Sequence, residues 1–213
     1  MDLRQELQGF DIGMKSAAVI GCGALGCNVC AHLAGAGIGC LFLYDGDVVH
    51  ERNLNRQFFY TPEDEGKPKV QVLRSRLKQY NPDIYIKCFE CMVDEDSSFK
   101  GADVVILCAD NGRARKTAGR ICGREGLPLV NGGVDGLYGS AYLYVPGKSP
   151  DLEAAGLCAE TGENTRASSA AGVIGALEAE LAVRVLSGDE ALAGTLMVYD
   201  GMKIEHLKIK EEA

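Results

Sequence analysis

Short apolar runs recur along the first two thirds of the chain and predict buried strands. They occupy residues 16–21, 40–45, 103–109 and 127–131, and residues 83–89 predict a further strand because apolar residues alternate there in period two. Runs of this length are typical of strands in a sheet that is covered on both faces. Between them, apolar residues recur with helical spacing at 24–37 and 69–80, and a further helix is predicted at 113–125. Strands that alternate with helices favour right-handed crossovers and a mainly parallel sheet.

The pattern changes towards the C-terminus. Residues 138–145 predict a further strand, 147–168 a polar loop and 170–187 a helix. Two last apolar runs, 195–200 and 203–210, predict a hairpin. We therefore predict an α/β fold: a Rossmann-like, mainly parallel twisted sheet with helices on both faces and a short antiparallel C-terminal extension.

Composition narrows the classes of function. The 213 residues carry no repeat or linker, so residues 1–213 are expected to form a single domain with residues 1–14 as an N-terminal arm. A net charge of −8 without a basic cluster argues against nucleic-acid binding. The charged N-terminus does not resemble a secretory signal, and no apolar stretch is long enough for a membrane span. Nine cysteines in such a chain indicate reduced thiols and a cytoplasmic protein.

The segment GCGALG has the GxGxxG spacing and lies between the first predicted strand and helix. Such a turn lets the backbone approach a phosphate, and the helix N-terminus adds free N–H groups. Asp45 ends the second strand, where a carboxylate can accept hydrogen bonds from ribose hydroxyls. Gly21, Gly23, Gly26 and Asp45 therefore predict a nucleotide site, although tight packing of helix on strand would require the same glycines.

The polar segment after Asp45 indicates which nucleotide binds. Asn53, Arg56 and Gln57 concentrate amide and guanidinium groups in a loop at the carboxyl edge of the sheet, and Lys69 begins the next helix. Converging cations suit a triphosphate and the charge that grows during nucleotidyl transfer. A nicotinamide dinucleotide has less need of them. A solvated polar loop is the simpler interpretation of the loop alone.

Asp110 and Asn111 end the fourth predicted strand, again at the carboxyl edge. A carboxylate at this point could hold Mg²⁺ against the phosphates of ATP, because Mg²⁺ prefers oxygen ligands. The other interpretation of Asp110 is an N-cap for the following helix. One aspartate can serve both purposes.

Six segments occur in the order found in the ubiquitin-activating-like superfamily: IGCGALG, LFLYDGDVV, NLNRQ, GKPKV, YNP and LCADN. The chain resembles the ThiF/MoeB/HesA branch, and the likeness extends through GVIGALEAELAVRVLSG, covering roughly residues 4 to 188. The resemblance implies an enzyme that uses ATP and Mg²⁺ to adenylate the C-terminal carboxylate of a small ubiquitin-fold sulfur carrier. That carrier would end in Gly-Gly and serve thiamin or molybdopterin synthesis.

The resemblance also assigns roles to individual positions near the phosphates. Asp45 would bind the ribose, with Asp47 beside it. Asn53, Arg56 and Lys69 would contact the ATP phosphates, and the two cations would stabilise charge as pyrophosphate leaves. Because a carboxylate is already ionised at neutral pH, adenylation requires no strong general base.

The remaining roles implied by the resemblance concern the metal and the neighbouring subunit. Asp110 would position Mg²⁺ and is the strongest candidate for a catalytic residue, with Asn111 next to it. Arg4 and Gln5 match the end of an N-terminal signature whose arginine reaches the ATP site of the neighbouring subunit. Arg4 would then act in trans within a homodimer, although the segment is shorter here than in the family.

Cysteines distinguish this chain from many relatives, which bind a structural zinc through two CxxC pairs. The corresponding segments, VPGKSPDLEAAG and MVYDGMKIEH, contain no cysteine. The pairs Cys27–Cys30 and Cys88–Cys91 fall in a helix and at a strand end, so we predict no structural zinc. Cys158 lies in a polar loop and could carry a thioester or persulfide if its pKa were lowered.

Two other functions stay open at the level of sequence. An NAD-dependent oxidoreductase would share the glycine turn and Asp45, but it would leave Arg56, Lys69 and Asp110 without a role. A catalytically silent nucleotide-binding module would likewise have no need of Arg56 and Asp110 together.

Overall fold

The computed structural model describes residues 11–109, 111–159 and 167–209. In these ranges, strands and helices alternate for most of the chain. They are β1 (Ser16–Ile20), α1 (Ala24–Gly35), β2 (Cys40–Tyr44), α2 (Lys69–Tyr80), β3 (Tyr85–Phe89), β4 (Val104–Leu107), α3 (Gly112–Glu125), β5 (Leu129–Asp135), β6 (Tyr138–Tyr144), α4 (Ser168–Leu186), β7 (Thr195–Tyr199) and β8 (Ile204–Lys208).

The strands form one sheet in the order β3-β2-β1-β4-β5-β6-β7-β8. The first five in this order pair in parallel, and β5 to β8 pair antiparallel. The predicted fold class, with its antiparallel C-terminal extension, is therefore confirmed. The chain leaves β1 towards β2 and β3 and then returns to β4 on the other side of β1. A reversal of this kind opens a crevice at the carboxyl ends of the strands, where ligands bind in α/β folds.

Helices cover both faces of the sheet because β1 and β4 are apolar on both sides. Val19 and Ile106 belong to one buried cluster, together with residues of α1, α2 and α4. Ala18 and Val105 belong to a second cluster, together with residues of α3. Successive strand residues point to opposite faces, so both layers of helices pack on side chains from the same strands.

The largest departure from the predicted elements is β5, which we expected to end at residue 131 and which continues to Asp135. Antiparallel pairing with β6 extends it through Gly132 and Gly133. A Cβ on Gly132 would lie 2.3 Å from the carboxyl carbon of Glu178. The absence of a side chain therefore lets α4 pack on this strand.

The predicted C-terminal hairpin is present as β7 and β8, and β8 forms an exposed edge of the sheet. Within the described residues, none of the helices combines the length and apolar character that crossing a bilayer requires.

Candidate functional site

A pocket of about 530 Å³ opens at the carboxyl ends of β1, β2 and β4. Its walls come from the turn between β1 and α1, the segments after β2 and β3, the first turn of α3 and the end of β5. The cations that line it are Arg56, Lys69, Arg113 and Arg115. The volume lies in the range typical of small-molecule sites, and the cations suit an anionic ligand.

The glycine turn uses its glycines for two purposes. Gly21 has a φ of +93°, and its N–H donates to the Tyr44 carbonyl at 2.8 Å. A Cβ on Gly26 would lie 1.9 Å from the Gly21 oxygen, so Gly26 permits α1 to pack on the turn. Gly21 and Gly23 line the pocket. The packing interpretation therefore accounts for Gly26, and Gly21 and Gly23 form the surface that a phosphate would meet.

Two buried side chains fix the turn through Cys22. The Cys22 N–H donates to Asp45 Oδ2 at 2.7 Å, and the Tyr60 hydroxyl donates to the Cys22 carbonyl at 2.6 Å. The other Asp45 oxygen accepts from the Asp47 N–H at 2.8 Å. Each carboxylate oxygen can accept more than one hydrogen bond, so Asp45 can order the turn and still bind a ribose. Sequence reasoning missed Tyr60, because nothing in its neighbourhood marks it as a partner of Cys22.

Lys69 is 4% exposed at the start of α2. Its Nζ donates to Asp47 Oδ2 at 2.9 Å, and its N–H donates to the Asp47 carbonyl at 3.1 Å. Sequence reasoning placed Asp47 near the ribose and Lys69 at the phosphates without pairing them. An ammonium group has three donors. The ion pair therefore orients Lys69 in the pocket wall and leaves it donors for a ligand.

Arg56 and Gln57 line the same pocket from the loop after β2. Arg56 donates to Asn53 Oδ1 and to Asn55 Oδ1, each at 3.0 Å. Asn53 therefore orients the guanidinium. Gln57 is buried, and its Oε1 has no hydrogen-bond partner among the described residues. A buried polar atom of this kind is costly unless a ligand or water satisfies it.

A buried aspartate anchors the loop that leads into Lys69. Asp64 accepts hydrogen bonds from the Thr61 N–H at 3.1 Å, Lys67 Nζ at 3.1 Å and Arg76 Nη2 at 3.0 Å. Burial would raise the pKa of Asp64, but the hydrogen bonds from Thr61 and Lys67 and the charge of Arg76 lower it to about 2. Asp64 is therefore ionised at neutral pH and holds this loop in place.

The predicted residues after β4 fall partly outside the described ranges. Asp110 lies outside them, as does Arg4. Asn111 lines the pocket, and its Oδ1 accepts from the Ala114 N–H at 2.8 Å. The N-cap of α3 is therefore Asn111 and not Asp110, because the helix begins one residue later than that alternative required.

Sequence reasoning also missed two arginines in the first turn of α3, Arg113 and Arg115, which line the pocket. Arginines on an amphipathic helix usually face solvent. Arg115 is instead 7% exposed, and its Nη1 donates to the Ala159 carbonyl at 3.4 Å. Their closeness in sequence to the Asp110-Asn111 pair was the signal that could have identified both arginines as pocket residues.

The surroundings of Cys158 do not favour the thiolate form that a covalent role requires. It packs partly buried against the cluster beside α3. Burial and the charge of Glu153 raise the pKa of the Cys158 thiol, and the lowering effect of Lys116 and Arg115 does not offset them. The thiol is therefore less reactive than an exposed cysteine at neutral pH.

The chain is predicted to contain no structural zinc. Residues 11–109, 111–159 and 167–209 contain no group of three or more His, Cys, Asp or Glu side chains that could hold a metal ion. Cys27 and Cys30 are buried in α1, whereas Cys91 is exposed. Elemental mass spectrometry of the purified protein should find far less than one zinc per chain; a stoichiometric amount would contradict the prediction.

Several curated proteins are similar to this chain over most of its length. The "Sulfur carrier protein ThiS adenylyltransferase" of Escherichia coli is 35% identical over 195 residues, which cover 86% of this chain and 76% of the relative. The "SAMP-activating enzyme E1" of Haloferax volcanii is 32% identical and covers 86% and 72%. The "Molybdopterin-synthase adenylyltransferase" of Salmonella typhimurium is 31% identical and covers 96% and 88%.

A solved structure of E. coli MccB with ATP has the same fold. It superposes with a TM-score of 0.83 at 22% identity and covers 98% of this chain and 67% of that one. Residues 8–213 match the ThiF family. Together with relatives more than 30% identical over most of its length, this match shows that the chain belongs to the ThiF family.

Proposed function

We propose that this chain uses ATP to adenylate the C-terminal glycine carboxylate of a small ubiquitin-fold sulfur-carrier protein and releases pyrophosphate. The observation that carries the proposal is the position of Lys69, buried and paired with Asp47 in a pocket that also holds Arg56 and the glycine turn. The names of the relatives agree with this activity, since they include enzymes for ThiS, SAMP and molybdopterin synthase.

Different residues along the edge of the sheet bind different parts of ATP. Asp45 receives the ribose, and Gly21 and Gly23 receive the phosphates at the N-terminus of α1. Arg56 and Lys69 stabilise the negative charge that develops on the departing pyrophosphate. The carrier carboxylate is ionised at neutral pH and attacks the α-phosphorus directly. Catalysis is therefore positioning and electrostatics.

Mg²⁺ fits this pocket as an ion that one or two carboxylates hold together with the ATP phosphates and water. The carboxylates of Asp45, Asp47 and Asp94 line it, and Mg²⁺ takes few protein oxygens when phosphates and water complete its coordination. Asp110 is the residue proposed to hold the ion, because it lies in sequence between the pocket residues Ala109 and Asn111. The ion would neutralise phosphate charge.

We further propose the domain organisation, the carrier, the oligomeric state and the location of the enzyme. Residues 1–213 form one adenylation domain, and the carrier ends in Gly-Gly. Two copies form a homodimer in which Arg4 of one copy reaches the ATP site of the other. The enzyme works in the cytoplasm.

Cys158→Ser should leave ATP–pyrophosphate exchange within about twofold of the wild type. Adenylation uses a carboxylate as the nucleophile, and the raised pKa of Cys158 keeps the thiol protonated. Initial exchange rates of the two proteins with the same carrier measure the effect. A large loss would show that the loop takes part in adenylation.

ATP–pyrophosphate exchange tests the function directly. The chain is mixed with ATP, Mg²⁺, labelled pyrophosphate and candidate carriers ending in Gly-Gly, and each carrier with an amidated C-terminus is the matched control. Exchange that requires the free carboxylate supports the proposal. Tight ATP binding without exchange across the carriers would favour a silent module. Preference for NAD over ATP in calorimetry would favour an oxidoreductase.

A further inference from the structure

Arg115 is a buried cation that forms no ion pair with a carboxylate of the described residues. Its side chain lines the pocket, and one hydrogen bond, from Nη1 to the Ala159 carbonyl, holds it. Its Nε is buried and has no hydrogen-bond partner among the described residues, and none of their carboxylates forms an ion pair with it. Burying a charge without a partner is unfavourable. The position therefore suits an anionic ligand.

Arg115 acts electrostatically on Glu178, an acid whose neutral form is favoured by burial. Glu178 of α4 is 0% exposed, and its Oε1 lies 3.7 Å from Cys108 Sγ. Burial raises the pKa of Glu178 well above its usual value, more than Cys108, the Gly132 N–H and the charge of Arg115 lower it. Burial therefore favours the protonated, neutral form of Glu178. Its carboxyl group fills the space that a side chain at Gly132 would occupy.

The strand order places Arg115 away from the cations that serve pyrophosphate. Arg56 and Lys69 follow β2, whereas Arg115 lies on α3, which follows β4. The strand between β2 and β4 is β1, which carries the glycine turn. Displacement at a phosphorus atom puts the attacking and leaving oxygens roughly in line. With pyrophosphate on the β2 side, the nucleophile approaches from the β4 side, where Arg115 lies.

The same end of the pocket suits a narrow peptide tail. Gly133 and Ala171 line it, and a Cβ on Gly133 would lie 3.4 Å from Arg115 Nη2. A side chain at position 133 would therefore crowd the guanidinium. A tail ending in two glycines has no side chains to accommodate near its terminus.

We propose that Arg115 binds the terminal carboxylate of the incoming Gly-Gly tail and aims it at the α-phosphorus, with Gly133 keeping the approach open. The inference rests on the proposed function. A guanidinium donates charge-assisted hydrogen bonds to a carboxylate, and these are stronger than the hydrogen bonds that it can form with a neutral amide. Arg115 is thus a substrate-binding residue that selects a free carboxylate over an amide.

The test separates carboxylate binding from ATP binding. Calorimetry measures an ATP analogue with a non-hydrolysable α–β linkage, and then ThiS of E. coli with a free or an amidated C-terminus, on the wild type, Arg115→Gln and Arg115→Lys. Arg120→Gln is the matched control, because Arg120 lies on α3 with its charge facing Glu95 and Glu153. Analogue binding also reports that each variant is folded.

We expect the wild type and Arg120→Gln to bind the free carboxylate about 10- to 100-fold more tightly than the amide, as charge-assisted hydrogen bonds allow. Arg115→Gln should lose that preference and keep its affinity for the analogue within about threefold, and Arg115→Lys should retain part of the preference. Equal or absent binding of both carrier forms by the wild type overturns the inference. A preference for the free carboxylate that survives in Arg115→Gln overturns it as well. So does a loss of analogue affinity in Arg115→Gln that is as large as its loss of carrier affinity. Lack of exchange in the wild type with every carrier would instead defeat the proposed function, and the binding preference would still report on Arg115.

Discussion

Lys69→Met is expected to lower the kcat of ATP–pyrophosphate exchange by about 10²- to 10³-fold, the size typical of losing one preorganised charge stabiliser. The methionine fills the space of the buried lysine stem, so α2 keeps its packing. The removed ammonium lies 2.9 Å from Asp47. Asp47 is half exposed, so water can solvate it once the cation is gone. The loss is therefore expected in the reaction more than in the fold.

Separate measurements of kcat and ATP affinity locate the effect. Charge grows on the phosphates as pyrophosphate leaves, so kcat should fall more than the affinity for ATP. Lys78→Met is the matched control, because Lys78 lies in the last turn of the same helix and donates to the Pro82 carbonyl. It should change exchange by less than twofold. A Lys69→Met enzyme with wild-type kcat would remove Lys69 from the catalytic set.

Glu178→Gln is expected to become progressively more stable than the wild type as the pH rises from 5 to 9. Burial raises the pKa of Glu178 in the native state, so the folded protein holds a proton that the unfolded chain releases above its ordinary value of 4.5. Stability from this group is complete below that value and is lost as pH rises through the folded pKa. The loss amounts to at most about 1.4 kcal/mol per pH unit. Glutamine does not titrate, so the variant lacks this loss.

Urea unfolding of both proteins across that pH range measures the difference. Glu180→Gln is the control, because Glu180 lies on the same helix with an exposed carboxylate paired with Arg184. The control should follow the pH dependence of the wild type. Parallel curves for Glu178→Gln and the wild type would show that Glu178 does not hold its proton in the folded protein.

Local sequence patterns were sufficient for most of the fold. The apolar runs predict β1, β2 and β4. The end of α2 at Tyr80 is predicted by the following Asn81-Pro82, because the residue before a proline disfavours helical geometry. These elements depend on a residue's own neighbours, because burial on both faces requires a continuous apolar run. The extension of β5 through Gly132 and Gly133 was not predictable in this way. It depends on pairing with β6 and on side chains from other elements.

The residues of the pocket likewise fall into those that the sequence predicts and those that only the folded structure reveals. The sequence alone predicts the glycine turn, the acid at position 45 and the basic residues at 56 and 69 as parts of one site. It does so because parallel strands bring their carboxyl ends to one edge of the sheet. Three features arise only from the folded structure: the ion pair of Asp47 with Lys69, the hydrogen bond from Tyr60 to Cys22, and the burial of Arg115 and Glu178. Each depends on distances between residues that are remote in sequence and on a local dielectric set by packing. Neither quantity is encoded in the spacing of residue types.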